Sequence, residues 1–393
     1  MTALVEVRDQ VRQLLEENWD GRQGYCVPNR AAYPHLWLWD SCFHALVWAA
    51  LDDPRAVVEL EATLAGQLRD GLVPHMRYGS EPPDTFLGPL EATSSLAQPP
   101  MFGHAINVLA RQGIAVPAET VARARRGLEW LWRHRRDEDS GLIYVVHPWE
   151  AGNDHSPRWD DWGAPGRTPA DYDRAARTAW NKAVMDDVTF ADDGAAIWSS
   201  RFVACPAGFN AYVAFNLREL GEATQNAELL GWARELATAV DETLWSPAEG
   251  MWRDRPVVGG GPSVEIPISD GLMGALVTDD PDKATAALDQ LSDTTRFAAS
   301  FGPANVAREH HAYDPGRYWR GPAWPNISYL LWLALRRWDR HEEAAALANL
   351  TLSGSRASGW AEYWNPGTGE GLGARPQSWT GLVLPMLEAT EAR

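Results

Sequence analysis

PMFGHAINVLARQGIAVPAETVARARRGLEWLWRHRRDEDSGLIYVVHPWEAGNDHSPRWDD, residues 100–161, decides the fold. Its first half reads as a pair of helices, over 100–112 and 117–135, with apolar residues returning every three or four positions. Its second half cannot continue that pattern. Glu150, Asp154, Arg158, Trp159 and Asp160 fall within eleven residues that Gly152 and Pro157 interrupt, so this is a loop. Such a loop can aim Glu150 into a cavity while Trp159 walls it off from water, which raises a carboxyl pKa toward neutrality. The same residues would also make an Asp/Asn/Ser turn with a surface salt bridge.

The unit of two helices followed by a polar, aromatic loop recurs. Helical spacing is read over 3–19, 36–51, 54–68, 169–184, 201–220, 223–244, 268–276, 281–291, 325–337, 342–352 and 379–392. Long loops cover 20–34, 69–97, 298–319 and 357–377, and strand-like alternation is confined to 142–146 and 251–258. One all-α domain over residues 1–393, a closed ring of helix pairs with its loops at one rim, accounts for this. An α-solenoid is the alternative, but it would not need loops this long and aromatic.

Composition narrows the function. A net charge of −18 argues against nucleic acid or an anionic membrane as partner, since both need basic patches. Cys26, Cys42 and Cys205 are far apart, with neither disulfide nor zinc spacing. The segment 1–19 is amphipathic and acidic, unlike a secretion signal, and the apolar run 43–51 is too short for a bilayer. A cytoplasmic protein is expected, compatible with a homo-oligomer. Tryptophan is the outlier, 21 of 393 residues, many of them in loops beside carboxylates and amides. Indoles in that company stack on the C–H face of a sugar while polar neighbours take its hydroxyls. A small carbohydrate is therefore the expected partner.

Glycoside hydrolysis needs two carboxyl groups flanking one bond. Asp154 is one candidate. Glu362, ringed by aromatics in Trp360-Ala361-Glu362-Tyr363-Trp364, is the other, with Glu370 as its competitor. Other chemistries find little support. His310 and His311 are adjacent and lack a partner at helical spacing. Residues 137–141 lack the spacing of a calcium loop, Gly259-Gly260-Gly261 is followed by no Gly-Lys-Ser/Thr, and no Gly-x-Ser-x-Gly elbow occurs. No metal or cofactor is expected.

Five motifs then occur in order: Trp37-Leu38-Trp39-Asp40; Gln98-Pro99-Pro100; Glu150-x-Gly152-x-Asp154-x-Ser156-x-Arg158-Trp159; Tyr318-Trp319-Arg320-Gly321-Pro322-x-Trp324-x-Asn326; and Glu362-Tyr363-x-Asn365-Pro366-x-Thr368-Gly369. Together they resemble glycoside hydrolase family 63, specifically its short bacterial members, the mannosylglycerate and glucosylglycerate hydrolases. The resemblance runs from about residue 33 to 385. It implies an (α/α)6 barrel and an inverting α-glycosidase that works without a metal, with Asp154 as general acid and Glu362 as general base. It places the sugar pocket at Trp37, Trp39, Asp40, Gln98, Trp319, Trp324 and Gln377. Tyr33, Leu38, Tyr78, Gly152, Arg158, Trp159, Tyr318, Arg320 and Trp379 join them as candidate substrate-binding residues.

The family's glycerate-holding arginine has no clear counterpart in the motifs. Arg174, Arg177, Lys182 and Arg201 are the cations available between 172 and 201. The expected substrate is a small α-glucoside or α-mannoside, glucosylglycerate or mannosylglycerate first. A different α-linked disaccharide or metabolite glycoside is the alternative, and a sugar-binding barrel without chemistry is a third reading.

Overall fold

The computed structural model describes residues 2–80, 87–260 and 266–391. Part of the 69–97 loop, residues 81–86, and Gly261 lie outside them.

The α-helices are α1 (Thr2–Asn18), α2 (Leu38–Ala50), α3 (Arg55–Ala65), α4 (Phe102–Arg111), α5 (Ala118–His134), α6 (Arg174–Asp186), α7 (Ala207–Thr224), α8 (Ala227–Thr243), α9 (Pro281–Asp289), α10 (Pro325–Arg337), α11 (His341–Ala357) and α12 (Val383–Glu391). Two 3-10 helices, Ser269–Leu276 and Ser378–Leu382, serve as further barrel elements.

Burial sorts these helices into two layers. Every residue of α2 is buried, and α7 is buried from Ala207 to Leu217 without a break. A helix that is apolar all round must be inside. By contrast α8 buries only Leu229, Ala233, Leu236 and Val240, a single stripe at helical spacing. The inner elements touch in a ring: α2 packs on α4, α4 on α7, α7 on Ser269–Leu276, that element on α10, α10 on Ser378–Leu382, and this last on α2 again. Each inner element carries an outer partner: α3 on α2, α5 on α4, α8 on α7, α9 on Ser269–Leu276, α11 on α10, and α1 on the closing element. The ring of helix pairs is thus an all-α barrel, and the solenoid alternative is excluded because the first and last elements meet.

The strands are two- to four-residue pieces pairing into two-stranded antiparallel sheets, such as Tyr363–Trp364 with Gly371–Leu372. Only Met251–Trp252 and Arg255–Val258 fall where strands were expected; the others, such as Val188–Phe190 and Ala196–Ser199, were not, and Val203–Cys205 replaces the start of the helix read over 201–220. They are too short to show alternation. The expected strand at 142–146 is reduced to isolated bridges, Arg136 with Ile143 and Val145 with Ala204. The loop at 150–160 is not irregular throughout: 3-10 turns Pro148–Ala151 and Pro157–Trp162 flank Gly152–Ser156. No helix among the described residues is long and apolar enough to cross a membrane.

Candidate active site

A cavity of about 340 Å³ opens where the inner elements begin. Trp37, Trp39 and Asp40 come from the start of α2, Gln98 from the turn before α4, Tyr318 and Trp319 from the loop before α10, and Gln377 and Trp379 from the start of the closing element. Gly152, Asp154, Tyr33 and Glu362 complete the set of sequence-derived candidates on its wall. Its size lies at the lower end of the roughly 300–1,000 Å³ typical of small-molecule sites, enough for a sugar ring with a small substituent.

Glu362 is fixed at every atom that could drift. Its Oε2 accepts the Ala374 N–H at 3.0 Å, and the Tyr33 hydroxyl lies 3.1 and 3.2 Å from its two oxygens. Its backbone carbonyl accepts the Trp379 indole N–H at 3.0 Å. The chain must pass tightly over this carboxylate at Gly373, where a side-chain Cβ would lie 2.4 Å from Oε2. Glu362 is 2% exposed, and burial pushes its pKa up to about 7; the Ala374 N–H and Tyr33 hydroxyl pull it back, while Asp154 pushes it up further. Asp40, also buried, is held well above the usual range by burial and by the charge of Glu362. Glu370, the competitor, is exposed and off the cavity wall.

Asp154 sits across a sharp turn from Trp39. Gly152 adopts φ +82°, and a Cβ there would come within 2.7 Å of the Trp39 ring, so only glycine lets the loop lie this close. The Trp149 indole N–H donates to Asp154 Oδ2 at 3.2 Å.

Six candidates stand off the cavity wall, each for a visible reason. Arg158 is buried and forked onto Asp254 and Asp270, with Nε–Oδ2 at 2.7 Å and Nη1–Oδ1 at 3.0 Å. Asp270 also takes the Asn153 amide at 2.9 Å, so Arg158 holds up the residue before Asp154 instead of touching sugar. Trp159 is fully buried against Trp162 and Phe202, and its N–H goes to the Asn153 carbonyl at 2.9 Å. Arg320 grips Asp160 through both oxygens, and Arg177 binds the same carboxylate. Trp324 lies flat behind Trp319, 3.6 Å away and 3° from parallel, so it supports the wall from outside. Leu38 is a core residue of α2, and Tyr78 accepts the Leu87 N–H at 3.0 Å behind Trp37.

Glu150 is a further correction. It does not reach the cavity. Arg135, fully buried at the end of α5, takes both its oxygens at 2.9 and 2.7 Å, and the Ala97 and Val146 N–H groups add 2.8 and 2.7 Å bonds. Burial alone would raise this carboxyl, but Arg135 and the two amides outweigh it and hold it below its ordinary range.

The wall also includes residues that the motifs did not flag: Trp149, His155, Arg174 and Thr178. Of the four cations considered, only Arg174 reaches the cavity. Arg177 is buried on Asp160, Arg201 pairs with Asp187, and Lys182 is exposed away from the wall. Arg174 is the first residue of α6, where Asp173 caps the helix by accepting the Ala175 and Ala176 N–H groups at 2.8 and 3.2 Å. Thr178, one turn on, shares its face. Among the described residues one group could hold a metal ion, the buried Cys26, His44 and Glu59, and none of the three lines the cavity.

Comparison with known proteins agrees with this geometry. Residues 33–380 match the mannosylglycerate hydrolase MGH1-like glycoside hydrolase domain. The chain is 30% identical to a glucosylglycerate hydrolase of Mycolicibacterium hassiacum over 90% of its own length and 91% of the relative. It is 28% identical to a mannosylglycerate hydrolase of Rubrobacter radiotolerans, covering 95% of each. The crystal structure of the GH63 mannosylglycerate hydrolase of Thermus thermophilus with Tris and D-glycerate superposes with a TM-score of 0.82 at 25% identity, covering 97% of this chain and all of that one. A helical barrel, a sugar-sized aromatic cavity with Asp40, Asp154 and Glu362 on its wall, and a domain match over most of the length place this chain in the mannosylglycerate hydrolase MGH1-like family, as a glycoside hydrolase of family 63.

Proposed function

We propose that this enzyme is an inverting α-glycosidase for glucosylglycerate or mannosylglycerate, with Asp154 as general acid and Glu362 as general base. One observation carries the reading: the cavity that holds both carboxyl groups has Arg174 on its wall, a cation with no carboxylate partner among the described residues. In this reading the sugar lies among Trp37, Trp39 and Trp319. Asp40, Gln98 and Gln377 take its hydroxyls; the Gln377 Oε1 has no partner within the described residues, whereas the Gln98 Oε1 is already used on the Trp39 N–H at 3.0 Å. The glycosidic oxygen meets Asp154, which gives it a proton as the bond to the anomeric carbon breaks. Glu362 takes a proton from the water that attacks the opposite face. The substrate carboxylate meets Arg174. A charge-assisted hydrogen bond there is worth roughly 1.5–3 kcal/mol, about ten- to a hundredfold in affinity.

The test uses two α-glycosides of one sugar, one with a glycerate aglycone and one with glycerol. Arg174→Ala is expected to raise KM for the glycerate compound by about ten- to a hundredfold and to leave the glycerol compound within about threefold. Equal effects on both would reject the charged aglycone and favour a neutral disaccharide or metabolite glycoside. Release of free glucose or mannose across a wider α-glycoside panel then identifies the sugar.

A further inference from the structure

The proton of a general acid must sit on the oxygen that meets the leaving group, and a carboxyl group has two. Asp154 treats its oxygens differently. Its Oδ2 receives the Trp149 indole N–H at 3.2 Å, and the His155 Nε2 stands 3.3 Å from the same oxygen. Its Oδ1 has no protein partner among the described residues, and Asp154 lies on the cavity wall.

The ring of His155 has its own constraint. Its Nδ1 is 2.6 Å from the Tyr172 hydroxyl. A neutral imidazole has one N–H and one lone pair, and the partner of one nitrogen decides the state of the other. Burial raises the pKa of the Tyr172 hydroxyl above its ordinary value, and Asp154 adds to this; together they outweigh Arg177, Arg174 and Arg320, which lower it. Nε2 faces Asp154 Oδ2, and an ionised carboxylate oxygen can only accept, so the ring proton belongs on Nε2 and the Nδ1 lone pair is left to accept from the Tyr172 hydroxyl. The surroundings keep the ring neutral. Burial lowers its affinity for a second proton, Arg177, Arg174 and Arg320 lower it further, and only Asp154 opposes them. The ring also meets the Tyr318 ring edge-on, with 5.6 Å between centroids.

We propose that His155, its tautomer fixed by Tyr172, acts with Trp149 to keep Asp154 Oδ2 an acceptor, so that the acid's proton resides on Oδ1, the oxygen open to the substrate. His155 is thus a positioning residue, and the inference rests on Asp154 being the acid. No net reaction of His155 is involved: in each turnover Asp154 gives one proton to the glycosidic oxygen and regains one from water, while Nε2 keeps its own.

Tyr172→Phe is the cleanest probe. It retains the ring, which lies 5.5 Å from the Arg317 guanidinium and 5.4 Å from that of Arg320, and deletes only the hydroxyl. Without that donor the imidazole is free to adopt the other tautomer, turn its lone pair on Asp154 and draw the acid's proton to Oδ2. The expected result is a kcat about ten- to a hundredfold lower on an alkyl α-glycoside, part of what a general acid supplies. The matching α-glycosyl fluoride, whose leaving group needs little protonation, should change by less than about threefold. His155→Ala should show the same split between the two substrates. His155→Gln, whose amide N–H can take the place of Nε2–H, should recover part of the loss. Equal losses on the two substrates, or no loss on either, would overturn the proposal. Asp154→Asn on the same pair separates the two claims: if it shows the split and the His155 and Tyr172 variants do not, this inference alone fails; if it shows none, Asp154 is not the acid.

Discussion

Asp154→Asn is expected to lose at least about 10²–10⁴-fold in kcat on an alkyl α-glycoside, the range typical of general-acid assistance. The side chain keeps its shape, and the indole of Trp149 can still donate to the amide oxygen. What disappears is the proton for the leaving oxygen. A glycosyl fluoride should be spared most of the loss, because fluoride departs with little protonation. Near-normal turnover of the alkyl glycoside would remove Asp154 from the role.

Glu362→Gln is the second large effect, again about 10²–10⁴-fold in kcat, and here the fluoride should suffer equally because water attack is needed for both substrates. The pH dependence of the parent enzyme gives the sign. A base must be ionised, and burial places the ionisation of Glu362 at about 7. Below that pH kcat/KM should fall about tenfold per unit, since this ratio reports the free enzyme. A raised pKa is equally the mark of an acid, so the direction of the limb decides: were Glu362 the proton donor, activity would fall above pH 7 instead. Stability should move the opposite way from activity. In an unfolded chain this carboxyl ionises near 4.5, so folding opposes its charge progressively between about 4.5 and 7 and fully above that. The shift corresponds to about 3 kcal/mol, an order-of-magnitude figure. Glu362→Gln should therefore resist denaturant better at pH 8, with the gain fading toward pH 4.5.

The barrel was legible because helix pairs recur with long polar, aromatic loops between them, a pattern that a closed ring of pairs explains; the resemblance to family 63 implied its (α/α)6 form. The short strands were not, since two to four residues show no alternation. Within the site, tryptophans standing beside carboxylates and amides in loops pointed to a sugar, and the resemblance to family 63 supplied the individual pocket positions. Arg158 and Arg320 looked the same in sequence and proved to be supports. Their carboxylate partners, Asp254 and Asp270 for one and Asp160 for the other, lie 96, 112 and 160 residues away, beyond any local pattern. Glu150 failed for a related reason. Arg135 ends a helix with cations around it and reads as a dipole-compensating surface residue, yet it is fully buried and draws in the loop carboxylate. Arg174 was one of four equivalent cations until the cap at Asp173 placed it on the cavity wall. His155 carried no signal beyond standing next to Asp154.

The central claim is that Asp154 and Glu362 act from opposite sides of one glycosidic bond, with a water held between Glu362 and the anomeric carbon. A pair that admits that water stands roughly 6.5–9.5 Å apart and inverts the configuration, whereas a retaining pair stands about 5–5.5 Å apart and forms a covalent glycosyl-enzyme. Proton NMR of the sugar released from an α-glycoside, recorded before mutarotation, reads this directly. The β-anomer should appear first and the α-anomer grow in only at the mutarotation rate. If the α-anomer appears first, the carboxylate is a nucleophile and the role given to Glu362 is wrong, even if its mutation abolishes activity.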